Sequence, residues 1–314
     1  MNDDGQPNAW ERGVLERLLR DTLIEQRRAR RWRMLSRLLT VILVLAVLGL
    51  LSTDVTVPQV TSRHTALVQL NGIIAPGTDA DADLVIESLR AAYDNAHVAG
   101  VVLRIDSPGG SPVQAGRIND EIRRLRALHP NVPLHAVIND ICASGGYYVA
   151  VAADRIYADK ASVVGSIGVL MNGFGFVEAL DKLGVERRLL TAGAHKGFLD
   201  PFSPQDPEDV AHARELLASI HGQFIEVVKQ GRGERLKDDP RLFSGLVWTG
   251  AQGIELGLVD ALGDADSVAR DVFKADKLVD YTTHPAYFER LIRGASGEAA
   301  STLVNSLSNA LRWR

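Results

Sequence analysis

The sequence predicts an α/β domain of stacked βαβ units, preceded by one transmembrane helix. Three observations carry that prediction. From Thr65 onward, short apolar runs alternate with segments of helical periodicity. Two of the apolar runs close in glycine turns, Asp106-Ser107-Pro108-Gly109-Gly110 and Cys142-Ala143-Ser144-Gly145-Gly146. Near the N-terminus an arginine cluster is followed by 16 residues, 38–53, that carry no charge.

The first segment, 1–33, is basic and amphipathic: Trp10, Val14, Leu15, Leu18, Leu19 and Ile24 fall on one helical stripe. Arg27, Arg28, Arg30, Arg31, Arg33 and Arg37 follow. The uncharged run is shorter than the ~20 residues of a usual span. Met34 and Leu35 extend it by a turn, and Arg37 can snorkel, so 34–54 is read as a signal anchor. A cleaved signal peptide is disfavoured, because the preceding segment is long and no Ala-x-Ala site follows. The arginines predict a cytoplasmic N-terminus and a domain outside the cytoplasm, with membrane lipid met through the N-terminal anchor.

The elements of the domain, 55–293, follow in order. An apolar strand at 66–70 ends in Asn71-Gly72, and 84–96 reads as a helix. Next come a buried strand at 100–105 and a helix at 114–128 with Ile118, Ile122 and Leu125 on one face. A strand at 134–138 leads to Ser144, and the helix after it contains Val149, Ala150, Val151 and Ala152. Short strands are expected at 155–157, 162–164 and 185–190, a long helix at 207–229 and shorter ones at 250–256 and 265–273. Residues 294–314 form a tail with a short amphipathic pattern. Periodicity alone does not separate a spiral of ββα units from a Rossmann-like sheet.

Composition excludes several functions. The net charge of −4 gives no reason to expect nucleic acid, and Cys142, the sole cysteine, permits no intrachain disulfide. The eight His lie at no metal-ligand spacing, and no phosphate-binding loop occurs. Neither a metal nor a cofactor is expected.

What remains points to acyl transfer. Ser144 lies where a strand gives way to a helix, with its hydroxyl at the turn, and the glycines after it admit a substrate backbone. Lys196 follows 52 positions later in Gly193-Ala194-His195-Lys196. A nucleophile, a base and two sources of backbone N–H groups are what such chemistry needs. A lysine base must be neutral, far from its reference pKa of about 10.4, so desolvation or a nearby positive charge is required. His195 is the rival base, with a better ordinary pKa. Adjacent residues on an extended segment point oppositely, so only one of the two faces Ser144. The α/β-hydrolase elbow is excluded, because Cys142 stands where that motif needs glycine. Asp106 and Asp140 read as Asx-type turn residues, and Tyr147, Tyr148 and Cys142 as packing.

Five motifs occur in one order: Ile105-Asp106-Ser107-Pro108-Gly109-Gly110, Ala143-Ser144-Gly145-Gly146-Tyr147-Tyr148, Gly165-Ser166-Ile167-Gly168-Val169, Gly193-Ala194-His195-Lys196 and Gly257-Leu258-Val259-Asp260. Over residues 66–264 the chain resembles the serine peptidases of family S49, in particular the short, single-domain signal peptide peptidases. The resemblance implies a Clp-protease/crotonase-like ββα spiral, a Ser144–Lys196 dyad and a cofactor-free site. It also implies oxyanion donors from Gly145 and the Gly109-Gly110 turn. It selects Lys196 over His195. Ser166 then either holds the Lys196 amine or caps a turn. The implied substrates are signal peptides and other unfolded peptides, cut outside the inner membrane of a bacterium by a homo-oligomer. Two other readings share parts of the pattern. A crotonase-like acyl-CoA enzyme would not be expected to carry both Ser144 and Lys196 or an anchor, and a catalytically silent membrane scaffold needs neither residue.

Overall fold

A computed structural model describes residues 28, 30–46 and 60–284. Residues 30–46 are helical, with Arg30, Arg31, Arg33 and Arg37 ahead of an uncharged stretch. Among the described residues no helix is long and apolar enough to cross a membrane. Residues 47–54, the second half of the expected span, lie outside them, as do 1–27 and the tail 294–314.

The unit spanning Val57–Pro285 is built on one mixed sheet. Its elements are β1 (His64–Asn71), α1 (Ala82–Asp94), β2 (Val98–Ser107), α2 (Pro112–Leu128), β3 (Leu134–Ala143), α3 (Gly145–Ala150), β4 (Arg155–Ala158) and β5 (Val163–Gly165). After α4 (Val177–Leu183) and α5 (Pro207–Arg232) come β6 (Val247–Thr249), α6 (Gly250–Glu255), β7 (Ala261–Leu262), α7 (Ala265–Ser267) and β8 (Leu278–Asp280). The strand order is β6-β5-β3-β2-β1-β8, with β4 and β7 branching from β3. Every pairing is parallel except β5–β6.

Both faces of the sheet are covered, which is why the central strands read as unbroken apolar runs rather than alternating ones. On the larger side, Leu70, Leu103, Ile105, Leu134 and Ile138 pack with α1, α2 and α3 and with Phe224 and Val228 of α5. On the smaller side, Leu67, Val102, Val137 and Tyr157 meet Val268 and Phe273.

The strand β3 changes partner along its length. His135–Ile138 pair with β4, and Ile141–Ala143 pair with β5. Between them the register against β2 slips, so that Ile105 faces Ile138 but Ser107 already faces Cys142. The bulge bends the strand. The Asp106 carboxylate occupies it, accepting from the Ile141 N–H at 3.3 Å and from Asn139 Nδ2 at 3.4 Å. Asp106 is therefore a cross-strand brace and not the expected turn residue.

Residues 185–190 correct another expectation. They form no strand; the chain there is irregular, with Leu190 96% exposed. An apolar run becomes a strand only beside a free sheet edge, and β5 already pairs β3 and β6. The helix expected at 265–273 is split into α7 and a π-type turn at Val268–Val272.

His135, at the start of β3, illustrates a cost of the smaller core. Its ring lies 5.5 Å from that of Tyr157 and 4.8 Å from that of Phe273, and among the described residues its Nδ1 has no hydrogen-bond partner. Burial pushes its pKa down to about 4. The unfolded chain therefore binds the proton more tightly, and stability falls as pH drops from about 6.5 through 4. The full loss is on the order of 3 kcal/mol. Urea midpoints of the His135→Phe variant are expected to vary less across this window than those of the parent; an unchanged slope refutes the assignment.

Candidate active site

Two turns meet at the C-terminal ends of β2 and β3. After β2, the buried Ser107 hydroxyl donates to the Gly72 carbonyl at 2.6 Å and accepts from the Gly109 N–H at 3.1 Å. The Gly109 carbonyl accepts from the Ile74 N–H at 2.9 Å, and the Ile74 carbonyl from the Ser111 N–H at 2.8 Å. These bonds flank Gly110, whose own N–H and carbonyl therefore point away from Ile74. Gly110 cannot carry a side chain, because a Cβ there would lie 2.1 Å from the Ile74 oxygen. At Gly109 (φ 105°), a Cβ would lie 2.7 Å from the Gly145 nitrogen and 2.8 Å from Ser144 Cβ. The glycine turn and the start of α3 are thus in direct contact.

Ser144 stands at the N-cap of α3, where serine ordinarily turns its hydroxyl onto the helix. Here φ is 52° and ψ −121°, and the side chain makes no capping bond. A non-glycine residue in this region costs about 1–3 kcal/mol, and such strain concentrates at functional sites. The backbone holds it: the Ser144 N–H donates to the Gly165 carbonyl at 2.8 Å, and the Ser144 carbonyl accepts from the Tyr148 N–H at 2.9 Å. The N–H groups of the first turn, beginning at Gly145, have no intrahelical acceptor. Cys142, two residues earlier, is fully buried, and burial raises its thiol pKa strongly, so it offers no thiolate.

Ser166 is Ser144's counterpart on β5. Ala143 pairs with Gly165, so each serine directly follows a paired residue, and Ser166 also has φ 52°. Its N–H donates to the Leu246 carbonyl at 2.8 Å. The structure therefore brings together Ser144, Gly145, Gly109, Gly110 and the backbone of Ser166.

Lys196 is exposed, and among the described residues no hydrogen bond or ion pair joins it to Ser144 or Ser166. It belongs to an arm between β5 and α5 that folds largely on itself. The Phe176 N–H donates to the Pro201 carbonyl at 2.7 Å, the Phe176 and Phe202 rings stack at 5.4 Å, and Asp200 accepts from Ser203 and Arg187. The arm leaves Leu170, Phe174, Leu183 and Leu190 largely exposed. His195, the rival base, is engaged by Asp209 at 2.8 Å.

The remaining motif is structural. Asp260 accepts from both terminal guanidinium nitrogens of the buried Arg232, at 2.8 and 3.0 Å, and from the Ile156 N–H at 2.7 Å. Tyr147 donates to the Leu258 carbonyl at 2.9 Å, which ties α3 to the same loop. Sequence reasoning missed Asp209, Arg232 and His221; only Asp209, in the first turn of a helix opened by Pro207, left a local signal.

Residues 126–279 match the family model described as Peptidase family S49. The Synechocystis protein named "Putative protease slr0021" is 30% identical over 81% of this chain and 91% of its own length. Protease 4 of Haemophilus influenzae is 28% identical over 78% of this chain and 39% of its own. A Brucella melitensis protein named Na(+)/H(+) antiporter NhaA is 45% identical over 66% of this chain. The match covers 29% of that protein, so the chain spans under a third of its length. With the Synechocystis protein aligned over nearly its whole length, the chain belongs to peptidase family S49.

Proposed function

We propose that the chain is a membrane-anchored serine endopeptidase with Ser144 as nucleophile and Lys196 as general base. The strained, uncapped Ser144 packed against the Gly109-Gly110 turn carries the reading. Ser144 Oγ attacks the scissile carbonyl carbon as Lys196 Nζ takes its proton. The Gly145 N–H and those of the glycine turn receive the oxyanion. Collapse breaks the C–N bond, the amine leaves with the proton from Lys196, and an acyl-enzyme remains on Ser144. Water, deprotonated by Lys196, then releases the acid. Ser166 helps to hold the amine.

The substrates are signal peptides and other unfolded chains, and the domain is the spiral of Clp-like proteins outside a bacterial inner membrane. The arginine-flanked apolar segment supports an anchor, and the antiporter name of a longer relative agrees with a membrane setting. A peptide phosphonate is expected to label the full-length chain on Ser144, located by mass spectrometry. Label on another serine, or none while casein is still cleaved, refutes the assignment.

The exposed arm supports a homo-oligomer in which Lys196 serves Ser144 of a second copy. Mixed oligomers of inactive Ser144→Ala and inactive Lys196→Ala chains are expected to regain part of the activity. Absence of any recovery in verified mixed oligomers places both residues in one chain.

A further inference from the structure

Helix α5 contacts the segment beside Ser166 and the segment beside Lys196. Near its middle, His221 Nε2 donates to the Ile167 carbonyl at 3.2 Å, one residue beyond Ser166. In its first turn, Asp209 Oδ1 accepts from His195 Nδ1 at 2.8 Å, one residue before Lys196. Both histidine nitrogens face groups that only accept, so each carries the proton. Asp209 is 8% exposed and sits where the helix dipole favours a carboxylate, whereas the His195 ring is largely in solvent. The turn between them is closed by the Lys196 N–H donating to the Gly193 carbonyl at 3.2 Å. Just beyond it, the Phe198 ring meets that of His212 edge-on at 5.8 Å. A 26-residue helix anchored in the core by Phe224 and Val228 thus fixes the backbone that bears the amine.

We propose that the Asp209–His195 pair is a positioning device for Lys196, which fixes turn 193–196 to the N-terminal turn of α5 and balances the charge beside the amine. The proposal rests on Lys196 being the base. The charged groups that act on His195 are Asp209 and Glu208 of α5 and Asp206 at its N-cap, with Lys196 next to it in the chain. The hydrogen bond to Asp209, then its charge, raises the His195 pKa, with smaller contributions from Glu208 and Asp206. The hydrogen bond to Asp209 thus favours an imidazolium beside the carboxylate. Removing the imidazolium uncovers the Asp209 carboxylate, which favours the ammonium form of Lys196. Neutralising Asp209 does the reverse.

The test is the pH profile of kcat/KM for the full-length chain in detergent, on a quenched-fluorescent peptide of apolar residues. In His195→Gln the rising limb is expected to move to higher pH by about half a unit, and in Asp209→Asn to lower pH by a similar amount. Asp209→Ala is expected to lose about tenfold in kcat with little change in KM, and Asp209→Asn, which still accepts a hydrogen bond, to recover most of it. Opposite shifts are not produced by general loosening of the fold, which urea midpoints monitor separately. Limbs that stay put, or move the same way, overturn the proposal. If Lys196→Ala retains the parent rate, the base assignment itself falls; if it is inactive while the limbs are unmoved, only the positioning role falls.

Discussion

Ser144→Ala is expected to lower peptide hydrolysis by about 10⁴-fold or more, because the proposed acyl-enzyme route disappears with the hydroxyl. The fold should survive, since the Ser144 side chain makes no capping bond and its contacts are made by backbone atoms. Alanine at φ 52° keeps the strain that serine carries. Ser144→Gly removes it and is expected to be inactive yet more stable than the parent by about 1 kcal/mol. A gain in stability together with complete loss of turnover would show that this position holds its conformation for chemistry and not for folding. Turnover near the parent rate in either folded variant would move the nucleophile elsewhere.

The largest effect on stability is expected at Arg232 and Asp260. The Arg232 side chain is 1% exposed and that of Asp260 is 10% exposed. Burial acts to raise the Asp260 pKa, but the hydrogen bonds and charge of Arg232, the Ile156 N–H and Arg235 hold it below the ordinary range. Removing one partner leaves a buried charge unpaired. Arg232→Met or Asp260→Asn should therefore cost about 3–5 kcal/mol, a large share of a domain's stability. The pair replaced together by apolar residues of similar volume should recover much of that loss. The sign with pH follows from the lowered carboxyl. Its contribution is complete above the ordinary carboxylate value, near about 4, and disappears as pH falls through the lower folded value. Urea midpoints at neutral and acid pH check both statements; single variants as stable as the parent would sink the account.

The parts of the fold carried by long apolar runs were readable from the chain. β1, β2 and β3 and helices α1, α2 and α5 lie where period and length place them, because their residues meet a core on one face or both. The two- and three-residue strands β6, β7 and β8 were not readable, since their stability comes from edges supplied by distant strands. Residues 185–190 show the converse: they have strand composition and no strand to pair. At the site, Ser144 and the glycine turns were legible because each sits at the end of an apolar run and is local in sequence. The contacts of α5 with the segments beside Ser166 and Lys196 were not, because the His221–Ile167 and Asp209–His195 bonds span 54 and 14 positions.

The two ends of the peptidase unit share one small hydrogen-bonded knot. Asn95 Nδ2 donates to the Tyr281 hydroxyl at 2.8 Å and reaches the Val60 carbonyl at 3.4 Å, while His64 Nε2 meets the same hydroxyl at 2.9 Å. Thr65 and Arg63 add bonds to the carbonyls of Ala275, Phe273 and Lys274. Entry and exit therefore lie side by side, and the sheet's β8–β1 edge closes only when the last strand arrives. Such a unit behaves as a cassette: a host polypeptide can take it up at one surface point without spanning any distance. During synthesis the same arrangement delays closure until residue 281 has emerged, so folding of this edge is necessarily the final step and not the first.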